Sequence, residues 1–103
     1  MKIHDVIALS HVKEDLIEGK EFYDSNEEGV GSYFFDSIVS DIESLKIHAG
    51  IHSKHYGLHR MLSKRFPFAI YYNINGSTAI VVAVLDLRRN PDWIRKRLKK
   101  RFY

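Results

Sequence analysis

Residues 66–87 read FPFAIYYNINGSTAIVVAVLDL, and the reading of this stretch decides the fold. Asn75-Gly76 lies between two β-rich runs, and both residues tolerate positive φ, which is the strongest short-range signal for a hairpin. The pattern predicts one strand from Phe66 to Ile74 and another from Ser77 to Leu87. Within the second, the seven residues from Ala79 to Leu85 are apolar without alternation, so both faces of that strand must be covered and it must lie inside the sheet. Upstream, Tyr56 to Leu62 reads as a third strand. Downstream, Asn90 can cap a helix whose first position suits Pro91, and Trp93, Ile94 and Leu98 give that helix one apolar stripe. Its remaining positions are Arg95, Lys96, Arg97, Lys99, Lys100 and Arg101.

The first half of the chain follows a different period. Lys2 to Leu9, rich in Ile, Val and Ala, reads as a short strand, and Ser10 is a candidate helix N-cap. Val12, Leu16, Gly19 and Tyr23 then recur at helical intervals, widened by Ile17 and Phe22, while Glu14, Asp15, Glu18 and Glu21 are expected to face water. Asn26 to Gly31 should end this helix. A second, from about Ser32 to His48, carries Phe34, Phe35, Ile38, Ile42 and Leu45 on one face. Two amphipathic helices joined by a short turn pack as an antiparallel hairpin and must cover a sheet face to bury their stripes. The predicted fold is α+β: a two-layer sandwich of order β-α-α-β-β-β with an N-terminal strand, an α-helical hairpin on an antiparallel sheet, and a C-terminal basic helix.

The 103 residues fit one domain spanning 1–103, and 45% hydrophobic content is too high for a disordered chain. The absence of Cys excludes a disulfide framework, a zinc-thiolate site and a thiol nucleophile. The longest apolar run falls far short of a membrane span, and Met1 to Asp5 begins no secretory signal, so a cytoplasmic protein is expected. Charge is strongly divided. Residues 1–50 carry four Lys/Arg against eleven Asp/Glu, and residues 51–103 carry twelve against two, Asp86 and Asp92. Such a split suits a basic surface that meets an anionic partner, or two halves that neutralise each other in the fold.

His48, His52, His55 and His59 recur at four, three and four residues, a spacing that on one helix would present a metal-binding face. Gly50 and Gly57 interrupt it, and no Asp or Glu between Ser44 and Leu85 could support such ligands, so neither a metal nor any cofactor is expected. No Gly-rich phosphate loop and no Gly-x-Ser-x-Gly elbow is present. Arg60, Lys64 and Arg65 flank the first strand pair, and Arg88 and Arg89 leave the last strand. If that strand's end approaches Arg60, these cations form one patch beside Trp93 and could hold phosphates or an acidic protein segment.

Taken in order, these residues resemble a family. Lys13-Glu14-Asp15-Leu16, Glu21-Phe22-Tyr23 and Gly31-x-x-Phe34-x-x-Ser37-Ile38 look like the helix hairpin of the ParE/RelE superfamily of type II toxin–antitoxin toxins. Lys64-Arg65-Phe66-Pro67-Phe68-Ala69-Ile70-Tyr71-Tyr72, Ala79 to Leu85 and Arg88-Arg89-Asn90-Pro91-x-Trp93 look like the strands and ending of its ParE branch. The resemblance covers roughly Val6 to Trp93. It implies a toxin silenced by a cognate antitoxin in a hetero-oligomer, of the kind associated with plasmid stabilisation.

ParE-like members inhibit DNA gyrase by binding it, and RelE-like members cut mRNA on the ribosome. RelE-like nucleases generally carry an Arg where Ala69 stands, and Asp86 occupies the place of a His frequent in the ParE branch, where an anion would repel a scissile phosphate. The expectation is therefore a gyrase inhibitor without chemistry of its own, touching DNA only through antitoxin or gyrase. A ribosome-dependent endoribonuclease is the alternative, and His59 with Arg60 keeps a different nuclease site open. The expected antitoxin- or target-binding residues are Arg60, Arg65, Arg88, Arg89, Trp93 and Arg95. The antitoxin is expected on the hairpin stripe and the sheet face, with Arg88 and Arg89 at its rim.

Overall fold

The hairpin around Asn75-Gly76 forms as its residues dictate, with Gly76 at φ +62° in the turn. The computed structural model of the chain describes residues 2–102; Met1 and Tyr103, the ends of the expected domain, lie outside them. Nine elements appear in the order β1 (Asp5–Ala8), α1 (Ser10–Asn26), α2 (Val30–Glu43), α3 (Leu45–His48), β2 (Lys54–His55), β3 (Leu58–Leu62), β4 (Phe68–Asn75), β5 (Thr78–Asp86) and α4 (Pro91–Phe102). The strands form one sheet in the order β1-β5-β4-β3-β2, so β5 lies inside it as its unbroken apolar run requires.

The expected α+β fold is the observed one, with corrections of detail. The sheet is mixed: β1 runs parallel to β5, with Asp5 opposite Thr78 and Ala8 opposite Val81. A two-residue strand, β2, pairs with β3 within the stretch expected to be loop. The second helix breaks at Ser44, leaving α3 as a separate turn. Ser10 is not the cap of α1. Leu9 holds that place in extended backbone because its N–H is already bonded to the Val81 carbonyl at 3.0 Å.

Strand alternation divides the core in two. Phe68, Ile70, Tyr72, Ala79, Val81 and Val84 face the helix hairpin and meet Val12, Leu16, Phe34, Ile38 and Leu45. Ala69, Tyr71, Val82, Ala83 and Leu85 face the other way and meet Ile94 and Leu98 of α4. Helices therefore cover both faces, so the sandwich is two-layered only where α4 is absent. Each buried Val, Leu, Ile or Phe among them contributes roughly 1.5–3 kcal/mol, and the alanines less. The face change within β5 comes from a bulge. Tyr71 opposes Ala83 while Tyr72 opposes Val81, which leaves Val82 as the extra residue and lets Val81 and Val84, three apart, share one face.

Two glycines set how closely the hairpin closes. A Cβ at Gly19 would stand 2.5 Å from the buried Phe34 ring, and one at Gly31 would meet the Lys20 carbonyl and the Asp24 carboxylate. Asp24 on α1 accepts the Gly31 N–H at 2.7 Å and a bond from Lys20 at 2.9 Å, so one helix caps the next. The Lys20 ammonium and the Gly31 amide hold the Asp24 carboxyl below its usual range.

A candidate partner-binding cleft at an open strand edge

β1 has four residues and β5 has nine, so pairing along that side of β5 stops at Val81. Among the described residues, no strand lies beside β5 on its β1 side from Val82 to Asp86. An open edge exposes backbone donors and acceptors that natural proteins must satisfy or hide. Here Asp15 of α1 reaches over and accepts the Val84 N–H at 3.0 Å. Arg101, at the far end of α4, closes on the same carboxylate with two parallel bonds of 2.6 and 2.7 Å, and its Nη1 also reaches the Val82 carbonyl at 3.5 Å. Arg97 adds a second cation at 4.0 Å. Both members of the pair are buried, with Asp15 at 2% and Arg101 at 5% side-chain exposure. This corrects one expectation: Asp15 is not in water. The signal was present in the spacing, since Val12, Asp15, Leu16 and Gly19 share one helical face.

Beyond Val84 the edge opens into a cleft of about 340 Å³. Asp15, Glu18, Gly19 and Phe22 line one wall, Arg89 and Trp93 the other, and Phe68, Val84, Leu85 and Asp86 the floor. Residues from both faces of the sheet meet here because the cleft straddles the strand edge itself. Phe22, expected in the buried stripe, is 48% exposed at its mouth, and Ile17 is also exposed.

The rim is cationic but largely committed. Arg88 holds Asp86 through Nε at 3.0 Å and Nη2 at 2.8 Å, and its own N–H adds a bond of 2.8 Å. Burial pushes the Asp86 carboxyl up, yet these bonds and the Arg89 charge outweigh it and hold the group below its usual range. The Arg88 guanidinium also lies 5.6 Å from the Phe22 ring centre. Trp93 meets two guanidiniums, Arg89 at 4.4 Å and Arg97 at 4.5 Å. Asn90 accepts the Asp92 N–H at 2.8 Å, which caps α4 as expected and fixes where Trp93 stands.

The six expected binding residues do not form one patch. Arg88, Arg89 and Trp93 gather at the cleft. Arg95 faces outward on α4 and pairs with Asp92 at 3.2 Å. Arg65 lies in the β3–β4 loop, 6.0 Å from the Tyr33 ring centre; Asp41 holds that loop by accepting the Ser63 hydroxyl at 2.9 Å. Arg60 stands opposite Tyr71 in β3, whereas the end of β5 comes beside Phe68, three residues further along β4. The approach of β5's end to Arg60 therefore does not occur. Arg60 instead faces the Tyr71 phenol, whose pKa burial raises and the Arg60 charge draws back. The placement of a partner on the hairpin stripe is also corrected, because Val12, Leu16, Phe34, Ile38 and Leu45 are buried against the sheet.

Gly50 and Gly57, both at positive φ, break the helical spacing of the histidines, and among the described residues no group of three or more His, Asp or Glu could hold a metal. His52 and His59 serve the fold. Gly50 N–H donates to the Tyr72 hydroxyl at 2.9 Å, the hydroxyl and His52 Nδ1 share a bond of 2.5 Å, and the His59 ring stacks on Tyr72 at 5.0 Å.

No helix among the described residues is long and apolar enough to cross a membrane. No protein-family model and no curated protein matches the sequence. Among solved structures, the chain is similar to one from the chromosomal ParDE TA system of P. aeruginosa, with a TM-score of 0.74 and 14% identity over 82% of this chain and 97% of that one. The five-stranded mixed sheet, its helix hairpin and the C-terminal helix thus make up the ParE-like fold that the sequence motifs resemble.

Proposed function

We propose that this chain is a ParE-like toxin of a type II toxin–antitoxin pair, acting in the cytoplasm by binding DNA gyrase and silenced by an antitoxin seated in the cleft between α1 and α4. The observation that carries the reading is the open edge of β5. A chain segment entering beyond the Val84 N–H, which Asp15 already holds, would continue the sheet along the end of β5, with Phe22, Phe68, Leu85 and Trp93 receiving its apolar side chains. Rim cations at Arg88 and Arg89 suit an acidic segment and would steer its approach. The ParE-like fold supports the toxin half of the reading.

Two features favour binding over phosphate chemistry. Stabilising a phosphorane-like transition state needs cations aimed at the phosphate, with an acid and a base nearby. At the end of β5 the Arg88 guanidinium is already engaged by ionised Asp86, and Ala69 is fully buried under α4. Gyrase supercoiling with detection of cleaved-DNA complexes, run beside mapping of cut sites on translated mRNA, tests the proposal. Gyrase inhibition without mRNA cleavage is the expected result. Cleavage at defined codons without gyrase inhibition establishes the endoribonuclease instead, and neither activity leaves a chain that only binds its partner.

A further inference from the structure

Apart from Trp93, the outward face of α4 takes no part in the cleft, and the charge of its three lysines is not consumed by the fold. Ile94 and Leu98 bury the inner face. At about 100° per residue, Arg95, Lys99, Lys96 and Lys100 fan over an arc of about 140° on the opposite side of a helix about 18 Å long. Arg95 is offset by Asp92, but among the described residues Lys96, Lys99 and Lys100 have no carboxylate within 4 Å. Like charges at i,i+3 and i,i+4 oppose helix formation, and of the eleven acidic residues in the first half of the chain only Asp15 ion-pairs with α4, through Arg97 and Arg101. With Trp93, Arg97 and these three lysines, the surface forms a shallow hollow of about 680 Å³.

We propose that this face of α4 grips the phosphate backbone of double-stranded DNA directly. A helix with cations fanned over its outer face matches the two phosphate walls of the major groove, which admits an α-helix. The deep, narrow major groove of an RNA duplex does not. Single strands are held by bases stacking on free aromatic rings, and Trp93 already carries two guanidiniums. The inference goes beyond the antitoxin and gyrase reading and is measured without either protein, so the two fail separately.

The test is fluorescence anisotropy of a labelled 20-base-pair DNA duplex of arbitrary sequence with the full-length protein, titrated between about 50 and 200 mM salt. A K96Q/K99Q/K100Q variant should bind at least tenfold more weakly at the low end, and its log–log salt slope should be shallower by about 2.7, the loss of three phosphate contacts. A K46Q/K54Q/K64Q variant removes the same charge from exposed lysines elsewhere and should bind within twofold of the parent. Equal weakening by both variants would show diffuse attraction to net charge and overturn the proposal. So would an absence of duplex binding at low salt, or tighter binding of an RNA duplex or of poly-glutamate than of the DNA.

Discussion

Gly31 and His52 show how single residues hold the fold. At Gly31 the obstacle to any side chain is the Lys20 carbonyl, part of the α1 backbone, and backbone cannot step aside as a flexible side chain could. Gly31→Ala should therefore cost about 1–3 kcal/mol of stability, read from the denaturant midpoint, through forced separation of the two helices. His52 acts through its proton. Burial, with the neighbouring His59 and His48, lowers its pKa below the ordinary 6.5, so the folded chain keeps the ring neutral where the unfolded chain would charge it. Its contribution is complete above about pH 6.5 and fades as the pH falls from there toward the lowered value, because the unfolded state takes up the proton first. Thermal melts from pH 7.5 to 5 should show this loss, and His52→Gln should make the decline shallower.

Among the elements, α4 was the most readable from its chemistry and the least readable in its docking. Asn90, Pro91 and the Trp93, Ile94, Leu98 stripe announced the helix and its cap. No local pattern told that Arg101 would cross to Asp15, 86 positions away, since only the early end of β1 creates the edge that both residues close. Removing one partner strands a buried charge, so Asp15→Ala should cost about 3–5 kcal/mol in equilibrium unfolding. Asp15→Leu combined with Arg101→Leu should recover most of that loss, because the pair's desolvation penalty disappears with it. The interior place of β5 was legible because an unalternating apolar run has few other homes. Its bulge at Val82 and the parallel pairing with β1 were not, being decided by register between distant strands. The same gap explains the binding residues. Arg88, Arg89 and Trp93 lie close in sequence and were found together, whereas grouping Arg60 with them needed the β4–β5 register. Phe22 was missed as a cleft residue because exposed and buried positions on a wide apolar stripe look alike in sequence.

At the scale of the whole molecule, the acidic first half and basic second half are only partly mutual. Asp15 draws Arg97 and Arg101 inward, while Arg89 and the outer lysines of α4 remain at the surface. Arg89 touches Trp93 but no carboxylate among the described residues, so it is the rim charge most available to a partner. Arg89→Glu should slow association with the cognate antitoxin about tenfold at low salt, and the gap should narrow as salt rises. Stopped-flow association rates across ionic strength check this, with dissociation changing far less.

The parallel seam between β1 and β5 also governs when the molecule can become itself. β1 is made long before its mates at Thr78 to Val81, and the clasp on Asp15 waits for Arg101, 86 positions after it. Closing so long a loop is slow compared with local pairing. A nascent chain therefore holds no finished cleft while it is being made, and a prematurely terminated one never acquires it.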